Sequence, residues 1–229
     1  MKIKRIVLKY WASLNAFEKN IFIRRIAFST ALVFLIFAAG VGNLIWHRTH
    51  GFPLMPGHFP LMHGLDEIEA FRAQPLGHVL EMLREQPENF FSLYYVLASL
   101  VTSVLGMSYL NLALTSTLLY LLMIFLAYTI VARDGNEWGG IAAAMTMTLA
   151  PVFFGWSRTF SPIMSCLAIP LLGVWLALRS RGFTRLAPSL FFGALAALSL
   201  RFGSTFGESI SILVVFVLVG GLTVIMEII

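Results

Sequence analysis

The stretch HGFPLMPGHFPLMHGLDEIEAF, residues 50–71, gathers proton-carrying and cation-binding side chains in a chain that is otherwise apolar. Asp66 and Glu67 stand side by side, and Glu69, Glu81, Glu85 and Glu88 follow. All five histidines, His47, His50, His58, His63 and His78, fall in the same region. A carboxylate in such a place can take a proton from an attacking hydroxyl or amine. Histidines beside carboxylates can hold a divalent metal, and His58 and His63 lie near Asp66 and Glu67 in the chain. Their spacing matches no standard zinc pattern. Plainer readings stand beside these. Asp66 precedes EIEAF and could cap a helix there. Histidines in a loop at a lipid surface need no ligand at all.

The rest of the chain must position this stretch. Of 229 residues, 59% are hydrophobic and 12% charged, and the mean hydropathy is +0.85. A soluble domain carries about twice that charged fraction. Apolar runs cover 26–46, 90–107, 110–132, 139–154, 160–178, 186–200 and 210–229. In lipid the backbone must satisfy itself, so these runs predict helices and an all-α integral membrane protein. The single Cys166 rules out an internal disulfide. No Walker loop, Rossmann fingerprint or paired-cysteine motif occurs.

Charge sets the expected topology. Seven of the sixteen Lys and Arg residues lie in the first 25 positions: Lys2, Lys4, Arg5, Lys9, Lys19, Arg24 and Arg25. This is a positive-inside signal beside a first span and not a nucleic-acid patch, despite a pI near 9.7. Residues 1–25 read as a basic interfacial segment on the cytoplasmic leaflet. The run at 26–46 has the length of a true span, which argues against a cleaved signal peptide. If 90–107 crossed fully, RSRGFTR at 179–185 would lie outside, against the positive-inside rule. If 90–107 lies on or dips into the outer face, that turn falls inside. The second arrangement gives six transmembrane helices and one long outer loop, 47–107, ending in a juxtamembrane helix. Gly106 and Ser108 would turn that helix into the next span. Arg158 and Arg201 then sit at outer helix ends, beside the acids and histidines.

The order of these features resembles the N-terminal module of the type C (GT-C) membrane glycosyltransferases, which use polyprenyl-phosphate-linked sugars. The resemblance is to the bacterial branch related to protein mannosyltransferases and lipid A aminoarabinose transferases. An acidic pair opens the first outer loop, here Asp66-Glu67 in HGLDEIEAF. ENFFSLYYVLASLVTSVLG, at 88–106, begins a juxtamembrane helix. A span ends in VARDGNEWGG, the next in a Ser-Arg within LAPVFFGWSRTFSPIM, and a GFTR turn leads to a small-residue helix. The resemblance covers roughly residues 26–215. It departs in three places. The second acid after Ser-Arg is replaced by Ser161, Pro162 and Ile163, the Lys after the small-residue helix is Arg201, and the Pro before Leu-Tyr-Tyr is Ser92.

The resemblance implies a transferase module over 26–229 in a bacterial inner membrane, with its N-terminus cytoplasmic. It implies a sugar transferred from a polyprenyl-phosphate donor to an acceptor at the outer face. Asp66 would be the general base and Glu67 its helper. Arg201 and Arg158 would hold the departing lipid phosphate through their planar guanidinium forks. The plainer role for both arginines is to reach lipid headgroups. Phe90, Phe91, Tyr94 and Tyr95 read as an interfacial aromatic belt. A non-catalytic subunit that keeps the module as a scaffold for membrane-protein partners is the competing expectation. Family members are commonly longer, so the chain reads as their N-terminal half or as a shortened relative.

Overall fold

A computed structural model of the protein describes residues 16–50, 93–160, 162–198 and 206–228, with the isolated positions 65, 66, 68, 69 and 73. Among these residues the regular structure is entirely helical. The elements are α1 (Ala16–His50), α2 (Leu93–Leu105), α3 (Tyr109–Val131), a 3₁₀ turn (Ala132–Asp134), α4 (Glu137–Leu149), α5 (Pro151–Trp156), α6 (Ile163–Ser180), α7 (Leu186–Leu198) and α8 (Phe206–Ile228). Three of them, α1 from Asn20, α3 and α6, are long and apolar enough to cross a bilayer. Their outward faces carry large apolar side chains, among them Phe34 and Phe37, each about two-thirds exposed at 68% and 67%. On helices of this length such faces suit the hydrocarbon of a bilayer. The protein is an integral, all-α membrane protein.

α3 is the centre of the bundle and packs against α1, α2, α4 and α6. Its Thr115, Ser116 and Thr117 are all buried. Small hydroxylated residues let neighbouring helices approach closely and give their polar groups partners across the interface. Leu119, Tyr120, Met123 and Ile124 continue the same core, together with Leu32 and Ala39 of α1 and Met164 and Ala168 of α6. A second core joins α6 to α7 and α8 through Leu176, Ala177, Phe192, Ile212 and Phe216. α6 therefore links the two halves of the molecule.

Three local features explain the chain path. The turn between α2 and α3 is made where the sequence predicts it. Gly106 adopts the left-handed φ of 88°, Ser108 caps α3 by accepting from the Asn111 amide, and the Asn111 side chain donates to the carbonyls of Leu105, the last residue of α2, and of Gly106. The run 139–154, expected as one segment, divides instead at Ala150, because Pro151 brings no N–H to the ladder. The Thr148 carbonyl near that break accepts from the Tyr120 hydroxyl at 2.9 Å. At the other end, Arg24 ties α1 to the start of α4. Its guanidinium donates to the Glu137 carboxylate (Nε to Oε2, 3.1 Å) and to the Gly135 carbonyl.

Two predictions follow from this packing. A Cβ at Gly140 would stand 2.8 Å from the Ala132 Cβ and 3.0 Å from the Tyr128 carbonyl. Gly140→Ala forces α3 and α4 apart and lowers stability by about 1–3 kcal/mol, read as a fall in Tm of the purified protein in detergent. The hydrogen bond from Arg24 holds the Glu137 carboxyl below its ordinary value of 4.5. Because the folded value is depressed, this contact stabilises the protein at neutral pH and is lost as pH falls through the carboxylate range. The Tm of the wild type therefore drops more steeply on acidification below 4.5 than the Tm of Glu137→Gln.

Candidate functional site

Asn43 stands 19 residues beyond Arg24 on α1, about 28 Å along a helix that rises 1.5 Å per residue. That length is close to the thickness of a bilayer's hydrocarbon core, about 30 Å. The two polar clusters of the bundle thus lie one membrane thickness apart on the same helix. The second cluster is the candidate site.

Asn43 is fully buried, as is Ser157, and Thr117 is nearly so. The Asn43 amide nitrogen donates to Ser157 Oγ at 2.8 Å and to Thr117 Oγ1 at 3.4 Å. Thr117 Oγ1 in turn donates to the Ser157 carbonyl at 3.1 Å. The remaining acceptor, Asn43 Oδ1, takes a hydrogen bond from Arg158 Nε at 3.2 Å. α1, α3 and the corner between α5 and α6 therefore meet in one network that ends on a cation. The Arg158 guanidinium lies 3.5 Å from the Phe154 ring centroid and 4.8 Å from that of Trp46, so two aromatic faces hold it in place. Among the described residues the one ion pair is Arg24–Glu137, and no carboxylate reaches Arg158. Burial pushes its guanidinium below the ordinary value, yet an arginine stays charged at neutral pH. A cation that is fixed and partly desolvated is suited to an anionic group such as a phosphate.

His47 extends the same end of α1. The sequence places it in the outer loop, but α1 continues to His50 and His47 is buried against Trp46 and Tyr109 in edge-on ring contacts. Neither of its ring nitrogens meets a hydrogen-bond partner among the described residues. His50 stacks on Trp46 at 5.0 Å. Tyr94 and Tyr95 are also displaced from their expected role. Both are buried in the main core and not set in an interfacial belt. Tyr94 can be buried because its hydroxyl pairs with Ser116 Oγ at 2.7 Å.

Asp66 lies exposed on a helical turn. Leu65 is already helical, so Asp66 sits inside the turn and does not cap it. Two residues on, Ile68 is fully buried and joins the core of Tyr94, Tyr120 and Met164. Trp156 and Phe160, on either side of Arg158, pack on that same core. Asp66 and Arg158 are thus anchored through neighbours to one hydrophobic cluster. Glu67, Arg201, His58 and His63 lie outside the described residues. Among the described residues no three His, Cys, Asp or Glu side chains gather as a metal site would require.

The sequence reading missed Asn43, Thr117 and Ser157. A signal was present: Asn43 is the one amide side chain in the apolar run 26–46, and an amide in lipid must find partners on other helices. Compared with known protein families, with curated proteins and with solved structures, the chain matches none.

Replacing Asn43 tests the network. Asn43→Leu leaves the Arg158 Nε–H and the Thr117 and Ser157 hydroxyls without their shared partner. The expected loss is about 1–3 kcal/mol of stability, again read as Tm in detergent. Thr117→Val, which removes a weaker member, costs less.

Proposed function

We propose that this chain is a transferase module that binds a polyprenyl-phosphate-linked sugar at its Arg158 end and passes the sugar to an acceptor there. The observation that carries the reading is the Arg158 guanidinium, held by Asn43 and two aromatic rings, with no carboxylate among the described residues to neutralise it. In the proposed reaction the phosphate oxygens of the donor pair with Arg158, and Arg201 supplies a second cation. Charge accumulates on the phosphate as the bond to the sugar's anomeric carbon breaks, and a fixed cation stabilises it as it leaves. Asp66, or Glu67 beside it, takes the proton from the attacking hydroxyl or amine as the new glycosidic bond forms.

The proposed topology has six crossings: α1, α3, α4 with α5, α6, α7 and α8. The Tyr94–Ser116 hydrogen bond lays the start of α2 against α3 only seven residues, about 10 Å, past Tyr109. This contact supports a helix that dips into one leaflet from the Arg158 end. With the basic N-terminal segment cytoplasmic, Arg133, Arg179, Arg181 and Arg185 fall on the cytoplasmic side, as the positive-inside rule requires. The Arg158 end then faces outward from a bacterial inner membrane.

A second reading is a scaffold subunit that has kept the module without its chemistry. One observation favours it: Asp66 is exposed, whereas a general base is usually tuned by burial or by charged neighbours.

Sugar transfer from a radiolabelled polyprenyl-phosphate donor, measured in membranes that carry the full chain, decides between the two. On the transferase reading, Asp66→Asn lowers the rate about 10²–10⁴-fold at equal protein level. Asn43→Asp is a subtler probe. It gives Arg158 an internal anion and obliges the Thr117 and Ser157 hydroxyls to donate to the carboxylate where they accepted from the amide, so donor binding weakens, with Tm measured alongside to show that the fold is kept. Transfer that is absent from the wild type with the correct donors present selects the scaffold reading. Transfer unchanged by Asp66→Asn overturns its assignment as the base.

A further inference from the structure

The opposite end of the bundle holds a different cationic feature. A cavity of about 420 Å³ opens between the last turns of α3 and α6 and the turn that follows α6. Its lining includes Arg133, Arg179, Arg181 and Arg185, with Thr129 and Trp175, and no acidic residue among the described residues. The positive-inside rule accounts for basic residues at this end of the spans, but it does not require four guanidinium groups from separate segments to line one cavity.

The backbone at the turn is built in an unusual way. Arg181, Gly182 and Phe183 all have left-handed φ, at 50°, 62° and 64°. Two of these are not glycine, and a residue with a Cβ is strained there. Such strain persists where the surroundings impose it. Here Ser180 Oγ accepts from the Phe183 amide at 3.1 Å, and the Arg185 amide donates to the Ser180 carbonyl at 3.0 Å. The Phe183 ring packs on Phe192 in the second core. The turn is thereby locked to the bundle with Arg181 and Arg185 in the wall of the cavity. Trp175 contributes a further sign. Its indole N–H is buried with no acceptor among the described residues, and the Arg179 guanidinium lies over its ring at 5.0 Å.

We propose that this cavity is a binding site for the headgroup of an anionic phospholipid bearing two phosphates. The cavity lies at the ends of α3 and α6, two helices able to span the membrane, so its level is that of the lipid headgroups. Guanidinium forks match phosphate oxygens in pairs, and Arg179, Arg181 and Arg185 alone exceed what a single monoanionic headgroup can neutralise. The volume falls within the range of small-molecule sites. This site is separate from the one at Arg158 and does not rest on the transferase reading.

The test uses the full chain in neutral detergent with defined lipids added, and bound lipid read by native mass spectrometry. The wild type retains diphosphatidylglycerol, holds phosphatidylglycerol more weakly, and does not retain phosphatidylcholine. The variant with Arg179, Arg181 and Arg185 all changed to Gln binds diphosphatidylglycerol about fivefold more weakly per arginine removed, on the order of a hundredfold in all. Arg185→Gln alone gives about a fivefold loss and serves if the triple variant does not fold. Arg48→Gln, at the other end of α1, leaves binding unchanged. Equal retention by the wild type and the triple variant at matched Tm overturns the proposal. So does equal retention of phosphatidylcholine, which marks nonspecific boundary lipid. Displacement of the lipid by inorganic diphosphate at equal concentration also overturns it, because the site is then one for a soluble anion.

Discussion

The Asn43–Thr117–Ser157–Arg158 network is the contact on which the arrangement of this bundle depends. In lipid there is no water to satisfy a stray amide or guanidinium, so such groups must find each other or remain at the membrane's edge. Here they do both. One residue each from α1 and α3, and two from the corner before α6, share their donors and acceptors at one margin. At the other margin, Arg24 and Glu137 fix α1 to the start of α4. Two fastenings at a separation set by the length of α1 define how that helix sits. The apolar contacts between them need only fill space.

Filling that space falls to α3. Its Thr115-Ser116-Thr117 triplet is narrow enough for α1 and α2 to come close, and polar enough to serve Asn43 and Tyr94. Past Leu119 the same helix turns apolar and larger, and the core widens to include Met123, Ile124, Met164 and Ala168. The narrow polar part faces the end where Arg158 and Asp66 are anchored, so the site is built on the tightest section of the bundle.

Much of this was legible in the sequence, and the exceptions have physical causes. Apolar runs and basic flanks gave the helical membrane class. Gly106 followed by Ser108 gave the turn into α3, because a glycine stop and a serine cap are local signals. Tyr94 and Tyr95 were misplaced because an interfacial tyrosine and a buried one look alike until the partner is known, and that partner, Ser116, lies 22 residues away. The break at Pro151 is written in the residue itself, yet hydropathy runs straight through it. His47 was assigned to the loop because polarity marks the end of an apolar run and not the end of a helix. Asn43 and Ser157 are separated by 114 residues, a distance over which one sequence carries no pairing information.

That separation also bears on the order in which the protein is made. Asn43 belongs to α1, which leaves the ribosome before α3 and α4, and its amide finds its shortest hydrogen bond among the described residues on Ser157, after those helices have been synthesised. Until the α5–α6 corner arrives, the Asn43 amide has on α3 only its longer hydrogen bond, to Thr117 Oγ1 at 3.4 Å. Arg158 arrives in the same step and finds Asn43 Oδ1, Phe154 and Trp46 in place around it. α1 is therefore made before α5 and α6 but seated only when they arrive, and the residue that seats it is followed directly by the one that brings the charge.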